Sequence, residues 1–241
     1  MRRPFSLSLS CLCAAAVLLV SATAAPVAAQ PAPAVPQAEA TWVDEVSFFG
    51  ARTVAEDATA MYVTAGLPDV EIGAIYGLSS LADVTPRVRF QYGRGTRIGG
   101  GGLSVSSAFR MKFAEWSGWT IAVVGAPEVG LHLYGVDHPP TTKSSPQSFR
   151  VTPFAGSLVA DRLMLPSLRL IVGLEAAIGF FVAPEFVLHT PIVAQIGAEL
   201  RVTERVFLLA RFDTGFDFYS QSARSGSDVY LRARVGIGWA R

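Results

Sequence analysis

Three histidines and a few nearby serines are the first candidates for chemistry. His132 stands in Leu131-His132-Leu133, and Ser104 and Ser106 precede it on what reads as the adjacent strand. A serine beside a histidine is the minimal unit of nucleophilic hydrolysis, the imidazole taking the hydroxyl proton. The orienting third member is missing. Glu128, four residues away on the same strand, lies about 13 Å off at strand rise, too far to hold the ring. A hydrogen-bonded lumenal histidine follows, and no enzymatic activity is expected. His138 and His189 fall in different loops, without ligand spacing, so no metal site and no cofactor is expected. Gly99-Gly100-Gly101-Gly102 after Arg97 could cradle a phosphate. It lacks the Lys-Ser/Thr of a P-loop and no helix follows, so it reads as a flexible loop.

The larger constellation is ionic. Arg87, Arg89, Arg110, Arg169, Arg201, Arg211, Arg232 and Arg234 share one strand parity with Glu175, Glu199 and Asp213; Lys112, His132 and Asp217 join them. Confined charges are costly unless paired, and the planar fork of arginine can bond two carboxylates. Folding the last hairpin about a loop near residue 223 brings Asp213 beside Arg234. Folding the seventh and eighth strands together brings Arg169 beside Glu199. Either register can slip by two residues. The chemistry implied is an ion-pair ladder that fills an interior.

What must position these charges is a set of long alternating strands. From about Ala58 onward the hydrophobic period is two. Leu231, Ala233, Val235, Ile237 and Trp239 share one face and Arg232 and Arg234 the other; Leu208, Ala210 and Phe212 alternate likewise with Arg211 and Asp213. Turn signals divide the chain into ten strands, at about 58–66, 70–78, 84–93, 102–114, 119–136, 147–158, 167–177, 191–202, 205–218 and 228–240. Eight or twelve remain alternatives. Connections 79–83, 115–118, 159–166 and 203–204 are mostly short, and 94–101, 137–146, 178–190 and 219–227 mostly longer.

A soluble sandwich would bury the apolar parity, and a membrane barrel would turn it to lipid. Strands of 9 to 13 residues suit a tilted membrane span, since soluble strands cluster near 5–6. Alternating short and long connections match the outer-membrane pattern, with short turns in the periplasm. Tyr92, Trp116, Trp119, Phe218 and Trp239 fall near strand ends, where amphipathic rings sit at a membrane interface.

Composition agrees. Charged residues are 16% of 241 and hydrophobic residues 51%, against about 25% charged in a typical soluble domain. Residues 1–29 read as a cleaved signal peptide, with Arg2 and Arg3 before the apolar run Leu9 to Val20 and a small-residue site at Val27-Ala28-Ala29; Ala24 is a second cleavage candidate. Both cysteines leave with it. Of 20 basic residues, 18 then remain against 19 acids, and all but Lys112 and Lys143 are arginine. Near-neutral charge without a basic patch excludes a nucleic-acid binder. Residues 30–57 read as a Pro/Ala-rich periplasmic leader, extended in its first part. Residues 58–241 read as the barrel.

The stretch Val70-Glu71-Ile72-Gly73-Ala74-Ile75-Tyr76-Gly77-Leu78, followed by Ser-Ser-Leu-Ala-Asp and Val84-Thr85-Pro86-Arg87-Val88-Arg89-Phe90, resembles hairpins of bacterial outer-membrane β-barrels. So does Gly197 to Arg211. The aromatic that often ends such barrels stands here two places early, at Trp239. The resemblance implies an all-β, antiparallel, up-and-down barrel in the outer membrane of a Gram-negative envelope. It also implies insertion by the barrel-assembly machinery and contact with outer-membrane lipid. Arg94 and Arg97 could meet lipopolysaccharide phosphates. The resemblance implies no single activity. The reading that follows is a non-enzymatic barrel with a side-chain-filled lumen and a structural or surface-interaction role. The alternatives are a narrow anion-preferring channel, a soluble lipocalin-like binder or a lipid-modifying enzyme.

Overall fold

The computed structural model describes residues 46–94, 97–133, 147–183, 186–221 and 224–241. The expected signal, the first part of the leader, loop 137–146 with His138, and the side chains of Arg94, Arg97 and His132 lie outside the described residues.

The strands are β1 (Thr59–Leu67), β2 (Asp69–Ser79), β3 (Ala82–Arg94), β4 (Arg97–Trp116), β5 (Trp119–Gly125), β6 (Glu128–Leu133), β7 (Gln147–Leu165), β8 (Leu168–Ala183), β9 (Val187–Arg201), β10 (Val206–Gln221) and β11 (Arg224–Ala240). Each pairs antiparallel with its neighbours, and β1 pairs with β11 from Ala60↔Ala240 to Leu67↔Ala233, which closes the ring. β5 and β6 both lie between β4 and β7 and are parted only by Ala126-Pro127. They are two halves of one stave, so the protein is a closed barrel of ten staves. Closure leaves no exposed sheet edge.

Three expectations change. The stretch 119–136 breaks at Pro127, which has no N–H to give the ladder. The anticipated connection 159–166 shrinks to Pro166-Ser167, because β7 runs on to Leu165 and pairs there with Leu168. Most of the longer connections are strand as well: β10 and β11 stay paired out to Gln221↔Arg224. Polar Ser and Gly positions looked like loop, but their backbone groups gain partners by extending the hairpin. The first strand is a full stave, joined to β2 through Pro68 alone.

The polarity is that of the charged-inside reading. Asp213, Glu199, Arg232 and Arg234 are buried, while Leu174, Phe216 and Val235 stand 56%, 54% and 65% exposed. Residues 46–57, expected in a leader ahead of the barrel, also differ. Val46, Phe48, Ala51 and Val54 are buried among wall residues from β1 to β11. This segment is a cork inside the lumen.

Candidate functional site: a corked, ion-paired lumen

The cork has no regular secondary structure, so its backbone N–H groups need partners from elsewhere. Three wall carboxylates supply them. Glu199 on β9 accepts from the Phe48 and Phe49 N–H groups, each at 2.8 Å, and from the Ser47 hydroxyl at 3.0 Å. Asp161 on β7 accepts from the N–H groups of Ala51 at 2.6 Å and Arg52 at 2.8 Å. Asp83 on β3 accepts from the Val54 N–H at 3.1 Å. Two arginines bind the carbonyls: Arg110 donates to Ser47 and Gly50, each at 2.8 Å, and Arg169 donates to Val46. Charge-assisted bonds of this kind are roughly twice as strong as neutral ones.

Aromatic packing seats the tip. Phe48 lies 5.3 Å from the Phe207 ring, Phe49 lies 5.4 Å edge-on to Tyr62, and the guanidinium groups of Arg211 and Arg234 stack over Phe49 at 5.7 and 5.8 Å. Gly238 on β11 leaves room for this, since a Cβ there would sit 2.5 Å from the Phe48 ring. Gly238→Val is therefore expected to push the cork aside. Arg52, tied to Asp161 in the native protein, should become a trypsin site. Equal resistance to trypsin in variant and native protein would show that Phe48 does not hold the cork.

Around the cork, wall side chains form a network of ion pairs. Arg169 faces Glu199 in register at 3.3 Å, as the hairpin folding implied. Asp213 pairs with Arg232 at 2.6 Å, two residues from the anticipated Arg234, and also with Arg211 at 2.7 Å. Arg234 turns to Glu71 at 2.9 Å. Glu71 also binds Arg89 at 2.7 Å and accepts from the Tyr62 hydroxyl at 2.8 Å. Arg89 reaches Glu128 at 2.9 Å, and Glu128 also holds Arg150. Arg110 binds Asp83 at 2.5 Å. Glu175 accepts from Gln195 at 2.7 Å. Arg87 donates to the Ser106 hydroxyl at 2.7 Å. Arg201 sits at the turn end and donates to the Pro166 carbonyl.

Sequence reasoning missed Asp69, Glu71, Asp83, Glu128 and Asp161 as partners. Asp69, Asp83 and Asp161 fall in stretches that read as turns, whereas Glu71 alternates with Val70 and Ile72, a signal that could have found it. His189, expected in a loop, is buried on β9, 3.5 Å from Asp217 and packed on Phe181. His132 lies opposite Gly102, and Ser104 opposite Gly130. Ser106 is bonded to Arg87.

Of the expected interface aromatics, Trp116 is 73% exposed and faces Trp119 across the β4–β5 turn; Trp239 and Phe218 are exposed near opposite ends of the barrel. Tyr92 is half-buried and donates to the Gly66 carbonyl. Between the cork and the β4–β7 wall remains a cavity of about 60 Å³, lined partly by small residues and partly by Arg87, Arg211, Glu175 and Gln195.

Together these features define a closed ten-stranded antiparallel barrel whose lumen is filled by ion pairs and by its own N-terminal segment. No known protein family matches the chain, and no curated protein matches it in sequence.

Proposed function

We propose that the chain is an integral outer-membrane barrel with a sealed lumen, serving a structural or surface-interaction role without catalysis or general pore activity. One observation carries this reading: the barrel is charged within and apolar without. Neighbouring outward residues Val235, Ile237, Leu208, Phe212 and Phe216 are all exposed. In water that continuous face would be an aggregation surface far larger than soluble monomers tolerate. In lipid it is the favourable solvent-facing side. Exposed Trp116 and Trp239 at the turn end, and Phe218 at the other, flank the band as interface anchors do.

The outer-membrane location rests on the resemblance and on the signal-like N-terminus. The lipopolysaccharide and assembly-machinery partners are proposed on the same ground. Lumenal arginines are engaged with carboxylates and cork carbonyls, which favours a scaffold over a turnover site.

The test is a charge on the outer face. Val235→Arg should destabilise the barrel in lipid by about 2–4 kcal/mol, as arginine does near a bilayer midplane. An exposed site in water would change by no more than roughly 0.5 kcal/mol. Urea unfolding in vesicles reads the difference. Recovery of the native protein in the soluble periplasm, without detergent, would refute the membrane reading outright.

A further inference from the structure

Three prolines lie in one transverse row of the wall. Pro86 on β3 pairs with Ser107 on β4, whose N–H reaches the Pro127 carbonyl at a long 3.4 Å. The register of β6 with β7 then places Pro127 against Pro153. Each proline coincides with a break in pairing. The β2–β3 ladder skips Ala74 and Ile75 opposite Pro86, β5 gives way to β6 at Pro127, and the β7–β8 register shifts between Val151 and Phe154. A missing N–H at each proline removes a cross-strand bond from this belt, which the Ala126 N–H still bridges to the Ala155 carbonyl at 2.8 Å.

The wall is also thin here. Gly125 faces Gly156 directly across β5 and β7, and a Cβ added to either would meet nothing within 4 Å. Outward neighbours Val123, Val129 and Leu158 are exposed and apolar, so the notch lies within the apolar band. Behind it is the lumenal cavity, whose near side is Ala108, Val124, Ala126, Ala155 and Gly156 and leads to Phe48 and Phe49 of the cork. An apolar path thus runs from the outer face, through a poorly bonded row, to the cork.

We propose that this row is a lateral opening through which the end of a lipid acyl chain enters the lumenal cavity between β5–β6 and β7. The inference rests on the membrane reading above. Acyl ends match the near wall, which carries no charge, and Arg87, Arg110, Arg211 and Glu175 on the rest of the lining confine them to the few methylene groups the near side can hold. Breathing of the wall at Pro127 and Pro153 breaks few hydrogen bonds, so entry is cheapest there.

The experiment reconstitutes the full chain in vesicles containing a phospholipid with a diazirine at the acyl terminus, illuminates them, and maps adducts by mass spectrometry. Native protein should carry adducts both on outer residues such as Val123 and Leu158 and on lumenal Ala126, Ala155 and Ser157. Gly156→Leu and Gly125→Leu fill open space, so both variants should fold, as heat-modifiable migration on gels will show. They should lose the lumenal adducts and keep the outer ones. Outer adducts alone in the native protein would overturn the opening while leaving the membrane reading intact. Lumenal adducts that persist in both variants would also overturn it, since the chain would then enter from a barrel end. Absence of adducts on both faces would sink the membrane reading and this inference with it.

Discussion

Deleting residues 46–56 is expected to turn a silent barrel into a conducting one in planar-bilayer recordings. The native lumen is closed twice, by the cork and by side-chain ion pairs spanning the wall. Ten staves enclose a narrow interior compared with the sixteen or eighteen of porins, so one segment of irregular chain suffices to block it. Removing that segment frees Glu199, Asp161 and Asp83 from the cork amides they now accept. Water then enters to replace the lost cork donors, because a buried carboxylate oxygen left without its hydrogen bonds is costly even beside an arginine. Arg169 and Arg110 keep their carboxylate partners in the wall, so the barrel should stay folded. The opened path should prefer cations, since the buried acids Asp69, Glu71, Asp83, Glu128, Asp161, Glu199 and Asp213 outnumber the buried arginines and three of them lose their cork donors. Glu199→Ala is the milder version: it removes the acceptor of three cork bonds and should give brief, flickering openings. A deletion variant that migrates as a folded barrel yet never conducts would show that the ion pairs alone seal the lumen.

How far the sequence could lead here depends on what alternation reports. Period-two patterning marks which residues face each way, so the inward positions of Arg89, Arg110, Arg169, Glu199, Asp213, Arg232 and Arg234 were legible, and Arg169 beside Glu199 followed from one hairpin fold. Alternation does not report where a hairpin stops. Ser225 and Ser227 look like loop, yet they pair with Ser220 and Phe218. It says still less about a segment without regular structure. Val46 to Val54 has no strand period, and its burial follows from carboxylates far along the chain that complement its amides. Glu199 lies 151 residues from Phe48, a separation no local pattern encodes. The proline row was hidden for a related reason. Pro86, Pro127 and Pro153 are ordinary in isolation and become a belt only once four staves are in register.

Glu71→Ala is expected to be among the most destabilising single substitutions in the wall, by about 3–5 kcal/mol, as when one partner of a buried ion pair is removed. Glu71 is 1% exposed and joins three groups from three staves: Arg89 on β3, Arg234 on β11 and Tyr62 on β1. Its loss is uneven in effect. Arg89 retains Glu128 at 2.9 Å, but Arg234 is left with Asp69 at 3.8 Å, too long for a good hydrogen bond. Arg234 also stacks over Phe49, so the unpaired guanidinium lies against the cork tip and the damage extends beyond the wall. Glu71→Gln should recover part of the loss, because its one carboxamide oxygen can still accept from Arg89 while its NH2 can donate to the Tyr62 hydroxyl oxygen. Glu71→Leu with Arg234→Met should recover more, because removing both charges eliminates the uncompensated one. Urea unfolding in vesicles, followed by tryptophan fluorescence, orders the four proteins, with Glu115→Ala at the exposed rim as a control within about 0.5 kcal/mol of native. If Glu71→Ala unfolds at the same urea concentration as that control, the lumen is wet enough to screen its charges. The ion-pair ladder would then fill space without holding the barrel together.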